Sequence, residues 1–300
     1  MHDPHFPVAH CVVLRGLEAP ADAEPTLLIE APHGADRAEH YFAMKAEIRG
    51  VLPDQLEHFF FVNTDVGSWQ LALKVAEEVL RRDPTRVVEL IRCLIPRTFI
   101  DTNRNPSERG GDLTKGGMTP GLQPYVHDEA DQAWLRSLHE RYTAVVEEEM
   151  AAVMAQGGYA FIPHTYGPVS MGIRSVDDDI VRNLHWALAP ERADSWPVRP
   201  EVDLIHARED GTSLAPEGMV EALAAAYRDD DLEVALGGTY YLHPATTGFT
   251  WSQRWPGRVL TLEVRRDLLV HDYTPFAEMK VRSEALRRFA APIAQVLCSS

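Results

Sequence analysis

Short apolar runs and longer amphipathic runs alternate along the chain. TLLIEA (26–31), HFFFV (58–62), RVVELI (86–91), YAFI (159–162), EVDLI (201–205) and RVLTLEV (258–264) are brief and rich in β-branched or aromatic residues. Pro, Gly or Asp bounds them, as expected of buried strands. Between them the apolar period lengthens to that of a helix. SWQLALKVAEEVLRR (68–82) opens on Ser68, a suitable N-cap, and sets Leu71, Val75 and Val79 on one face. The run 128–154 is free of Gly and Pro and predicts the longest helix, and further helices are expected in APEGMVEALAAAYRDD (215–230) and EMKVRSEALRRFAAPIAQVL (278–297). This alternation predicts an α/β fold, a mostly parallel or mixed central sheet with helices on both faces.

No internal repeat or low-complexity linker divides the pattern, so one domain over residues 1–300 is the economical expectation. The polar, glycine-rich NPSERGGDLTKGGMTPGLQP (105–124) reads as a long surface loop, and loops of that length are usually functional or mobile. Its glycines at 110, 111, 116, 117 and 121 make it a candidate lid.

Composition narrows the partners. A net charge of -16 and a pI near 5.2 argue against nucleic acid, because phosphate-backbone binding needs clustered Lys and Arg. No run approaches the ~18 apolar residues of a membrane span, and the N-terminus lacks a basic stretch before an unbroken apolar segment. Cys11, Cys93 and Cys298 are scattered and odd in number, with no C-x-x-C pair. Neither a disulfide framework nor a thiolate metal site follows, and a cytoplasmic enzyme or binding protein is expected.

Ligands of open α/β sheets collect at the carboxyl ends of strands. His33 follows TLLIEAP, with Asp36 three residues on; Asp65 follows HFFFVNT; His164 follows YAFIP; Glu263 lies within RVLTLEVRR. If these strands are parallel neighbours, two imidazoles and a carboxylate form the donor set of a catalytic zinc site, with a position left for water or substrate. A carboxylate outside that set would take a proton from the water. Each residue also has a structural reading. A lone histidine in a loop is more often a hydrogen-bonding residue than a ligand. Burying an unpaired carboxylate costs several kcal/mol, so the structural reading of Glu263 is an acid paired with Arg265 or Arg266. In RTFIDTNRNP (97–106) a short apolar stretch delivers Asp101, Asn103 and Arg104 into a turn closed by Pro106. A guanidinium beside an amide suits a substrate carboxylate; alternatively, an Asp–Arg pair merely orders the turn.

The order of these motifs, APHG, NTD, RTFIDTNRNP, IPHTYG and TLEVRR after GGTYYLHP, resembles the N-formylglutamate amidohydrolase family over about residues 26 to 270. FIDTNRNP is the most specific piece. The resemblance implies a fold and chemistry like those of zinc carboxypeptidases, one divalent ion, zinc, and a small N-acyl amino acid as substrate. It assigns metal binding to His33, His164 and an aspartate, Asp65 in preference to Asp36. It makes Glu263 the general base and acid, Arg97 an oxyanion donor, and Asn103 with Arg104 the carboxylate-binding pair. His243 is matched to a substrate-binding histidine. Leu242 stands where the family carries an arginine, and IPHTYG and PHGA depart from the family's wording, which leaves the reaction class firmer than the substrate. Two other readings share the fold: a carboxypeptidase-like hydrolase of a larger peptide or acylated amino acid, and a binding protein without catalysis.

Overall fold

The computed structural model describes residues 2–299. Among them seven strands form one mixed sheet in the order β1-β3-β2-β4-β7-β5-β6. In chain order the elements are β1 (Ala9–Arg15), β2 (Leu27–Ala31), α1 (Ala38–Glu47), α2 (Leu56–Asn63), α3 (Ser68–Arg82), β3 (Val87–Cys93), α4 (Glu129–Ala155) and β4 (Tyr159–Tyr166). There follow α5 (Ile180–Ala187), α6 (Pro190–Ala193), β5 (Val202–Leu204), α7 (Met219–Asp229), β6 (Val234–Leu236), α8 (Thr247–Arg254), β7 (Val259–Arg265) and α9 (Ser283–Cys298). β3, β2, β4 and β7 run parallel, β1 and β5 lie antiparallel to their central neighbours, and β5 and β6 are parallel to each other.

Alternation along the central strands builds a core on each face. Leu28, Ala160, Ile162 and Val259 face α4, where Leu135, Tyr142 and Met150 are buried. Leu27, Ile29, Phe161, Leu260 and Leu262 face the other way, onto α3 and α9. By the same alternation His164 and Glu263 continue the α4 face at the carboxyl ends of β4 and β7, and they are direct partners in the β4–β7 register. α4 starts where the Asp128 side chain accepts from the backbone N–H groups of Ala130 and Asp131, both at 2.9 Å.

Several expectations need correction. HFFFV is not a strand but the body of α2, with Phe59, Phe60 and Phe61 all buried; an apolar run this short does not declare its period. Ser68 is the first residue of α3 rather than its cap, a place taken by Gly67 at φ 92°, in the left-handed region that suits glycine. β4 extends past YAFI to Tyr166, so His164 is within a strand rather than after one. No helix among the described residues is long and apolar enough to cross a membrane.

Candidate metal centre and active-site cavity

The end of β2 brings His33 into the interior, 3% exposed. Gly34 is required there by crowding: a Cβ on it would lie 2.6 Å from Arg92 Cγ. Arg92 Nε donates to Gly34 O at 2.8 Å and Nη2 to Asp36 Oδ1 at 2.7 Å. Asp36 is thereby committed to locking the turn under His33. It is not part of the converging donor group.

The converging group is His33, Asp65 and His164, all buried, with one potential ligand atom from each lying within 4.8 Å of the others. Asp65 reaches it from the turn between α2 and α3. Its Oδ2 sits 3.1 Å from His33 Nδ1 and 2.9 Å from His164 Nδ1. Burial opposes ionisation of this carboxylate, but His33 and His164 together hold it well below the usual range.

Behind His33 stands Asp101, which accepts from His33 Nε2 at 2.7 Å, from the Asn103 backbone N–H at 2.9 Å and from Arg97 Nη2 at 2.7 Å. Arg97, with His33 and Arg104, outweighs burial and keeps Asp101 ionised. Arg97 Nη1 also reaches His33 Nδ1 at 3.3 Å, Asn63 O at 3.3 Å and Asp65 Oδ1 at 3.4 Å. The Asp101–Arg97 pair orders the turn, and the same carboxylate also buttresses His33, a use the sequence reading does not contain.

This donor set fits a divalent cation. Two imidazole nitrogens and a carboxylate oxygen face one point out of water. A carboxylate accepting the far N–H of His33 selects the tautomer whose Nδ1 lone pair is free for a metal.

The other predicted residues border the same cavity of 480 Å³. Glu263 lines it with Oε2 buried and without a hydrogen-bond partner. Burial, with Asp65 adding to it against the pull of His164, Arg199 and Arg97, raises its pKa to about 7. Neither proposed arginine pairs with it: Arg265 bonds Asp267 at 2.9 Å, and Arg266 donates to Val62 O and Thr165 O. Asn103 Oδ1 accepts from Thr247 Oγ1 at 2.8 Å, leaving Nδ2 toward His164 Nε2 at 3.5 Å. Arg104 donates to Asn103 O at 2.8 Å, while its Nε has no partner and burial lowers its pKa. His243 accepts at Nδ1 from the Ala245 N–H at 3.1 Å and so braces the segment before α8. Leu242 is buried against Ile205 and Leu214.

Residues absent from the sequence reading of the site are Arg199, Tyr166 and Tyr240, which also line the cavity. The guanidinium of Arg199 stacks over Tyr166 at 5.1 Å and over Tyr240 at 5.7 Å. No spacing in the sequence ties these residues together; only the fold does.

No family model and no curated protein sequence matches the chain. Among solved structures, N-formylglutamate amidohydrolase from Ralstonia eutropha JMP134 is similar with a TM-score of 0.57 at 17% identity, covering 96% of each chain. A gene product of Agrobacterium tumefaciens has a TM-score of 0.56 at 16% identity, covering 96% of this chain and 93% of that one. At these identities the likeness establishes a common fold, the α/β architecture the sequence led us to expect.

Proposed function

We propose that the protein is a metal-dependent amidohydrolase that cleaves the N-acyl amide of an amino acid bearing a free carboxylate. Zinc is the ion that best suits two imidazoles and a carboxylate. The observation that carries this reading is a cavity-facing carboxyl, Glu263, left without a hydrogen-bond partner at Oε2 and paired in strand register with His164 of the donor group. The two Ralstonia and Agrobacterium likenesses support the fold on which such a site stands.

His33, Asp65 and His164 would hold the ion, which when bound polarises water and the scissile carbonyl. Glu263 accepts the proton released by the attacking water and returns it to the leaving nitrogen. Arg97 donates to the carbonyl oxygen as negative charge develops there. Arg104 and Asn103 hold the substrate carboxylate by charge-assisted and amide hydrogen bonds, and His243 steadies the wall beside them. The test begins with metal content, for the native chain beside His33→Ala, purified without an affinity-metal column. About one equivalent of zinc lost in the variant is expected, followed by hydrolysis of N-formylglutamate or a related N-acyl amino acid. No metal in either protein after zinc is added back would refute the mechanism.

A further inference from the structure

A formyl group is one carbon and one oxygen, yet the cavity measures 480 Å³, within the ~300–1,000 Å³ of sites that enclose drug-sized ligands. The contacts already described give the cavity a direction. Arg104 adjoins Asn103, Asn103 faces His164, Asp65 joins His164 to His33, and Arg97 runs from His33 to Asn63 O at the end of α2. On the hydrolase reading, on which this inference rests, the substrate carboxylate lies at Arg104 and the scissile carbonyl at the donor group. What continues toward Arg97 and α2 is then the acyl half.

Toward α2 and α5 apolar side chains predominate in the cavity wall. Phe59 and Val62 come from α2, Ile180 and Leu184 from α5, and Met171 and Ile173 from the segment between β4 and α5. Arg266 and Arg199, the cations bordering this part, turn donors to Val62 O and Thr165 O, and to Gly167 O, Ser170 and Tyr240, with Arg266 Nε left over. Leu113 and Met118 of the 105–124 loop also line the cavity. That loop is fastened to the same wall: Leu113 N–H donates to Arg174 O at 2.8 Å, and Asp112 pairs with Arg174 at 2.9 Å. A chamber so poor in polar partners holds water weakly and gains from apolar contents.

We propose that this chamber receives a medium-length aliphatic acyl chain, so that the preferred substrates are N-acyl amino acids with an acyl group much larger than formyl. Parallel series of N-formyl, N-acetyl, N-hexanoyl and N-octanoyl glutamate and leucine test it independently of the amine half. Each buried methylene can strengthen binding roughly fourfold, so kcat/KM should climb at least ~10-fold from formyl to hexanoyl in a series that is hydrolysed. Met171→Trp and Met118→Trp, at partly buried positions, should each cut the octanoyl-to-formyl ratio by ~10-fold through lost chain burial, with metal content unchanged. A flat or falling series, or ratios unmoved in both variants, overturns the proposal. Calorimetric titration of zinc-loaded Glu263→Gln with the same compounds separates the two claims. Affinity rising with chain length supports the chamber even where nothing is hydrolysed, an outcome that would remove the hydrolase reading alone; length-independent affinity overturns the chamber.

Discussion

On the His33 side of the cavity the polar groups are joined: Asp65 to both histidines and Arg97, Asp101 to His33, Arg97 and the Asn103 N–H. Elsewhere in the cavity lining, on the other side of this contrast, Glu263 Oε2, Thr261 Oγ1, Arg104 Nε and Arg266 Nε are all buried without a partner. A buried polar atom left unpaired costs about 1–3 kcal/mol. The joined side is a frame whose polar groups lie within reach of one another around the point where an ion would sit. The other side is complete only when something else supplies the missing partners, and the substrate and its water are the natural candidates.

Four substitutions would break or sharpen that contrast, ordered by their effect on turnover. Glu263→Gln keeps size and removes the proton acceptor, so kcat should fall by ~10²–10⁴ while metal content holds; near-normal turnover would strip Glu263 of its role. Arg104→Met should act mainly on KM, with a loss of ~1.5–3 kcal/mol that a substrate lacking the carboxylate does not feel. If both substrates suffer equally, Arg104 serves the fold rather than recognition. Asp101→Asn belongs to the joined side, and should weaken metal affinity by ~10–100-fold in chelator competition. Unchanged affinity would mean that Asp101 serves Arg97 only.

The fourth, Glu30→Gln, is a control outside the cavity. Glu30 is buried in β2, accepts from Tyr142 OH at 2.9 Å, and leaves its other oxygen without a partner. Burial raises its pKa from 4.5 to about 7, outweighing Tyr142 and Trp251. The folded state therefore holds this proton more tightly than the unfolded chain does. The stability it contributes is full below pH 4.5 and is lost as pH climbs through 7. Glu30→Gln should flatten the stability curve across that window by on the order of 1–3 kcal/mol, read by denaturant unfolding, with turnover preserved. A curve as steep as that of the native chain would refute the assignment.

Helix α3, its cap apart, was legible because Leu71, Val75 and Val79 repeat at the helical period. α2 was not, since its aromatic residues are buried nearly all round and no polar stripe marks a turn. β6, three residues with an exposed end, is too short to leave a pattern, and the reversal of β5 against β7 is a matter of pairing that no local signal encodes. At the site, His33, Asp65, His164 and Glu263 stood out because polar residues interrupt or end apolar runs. The separation of Asp36 from Asp65 depends on Arg92, and the support of His33 by Asp101 on a contact 68 residues apart in sequence. The apolar chamber was invisible for the same reason: α2, α5 and the 105–124 loop meet only in the folded chain.

The pairing of His164 with Glu263 across β4 and β7 also constrains how such a chain can change in length over evolution. Inserting one residue upstream in either strand would turn one member of the pair to the opposite face. Inserting two would restore the face but displace the side chain by roughly 7 Å, at ~3.3 Å per residue. Surface connections can therefore lengthen and shorten freely, while these two strands tolerate substitution far better than insertion or deletion.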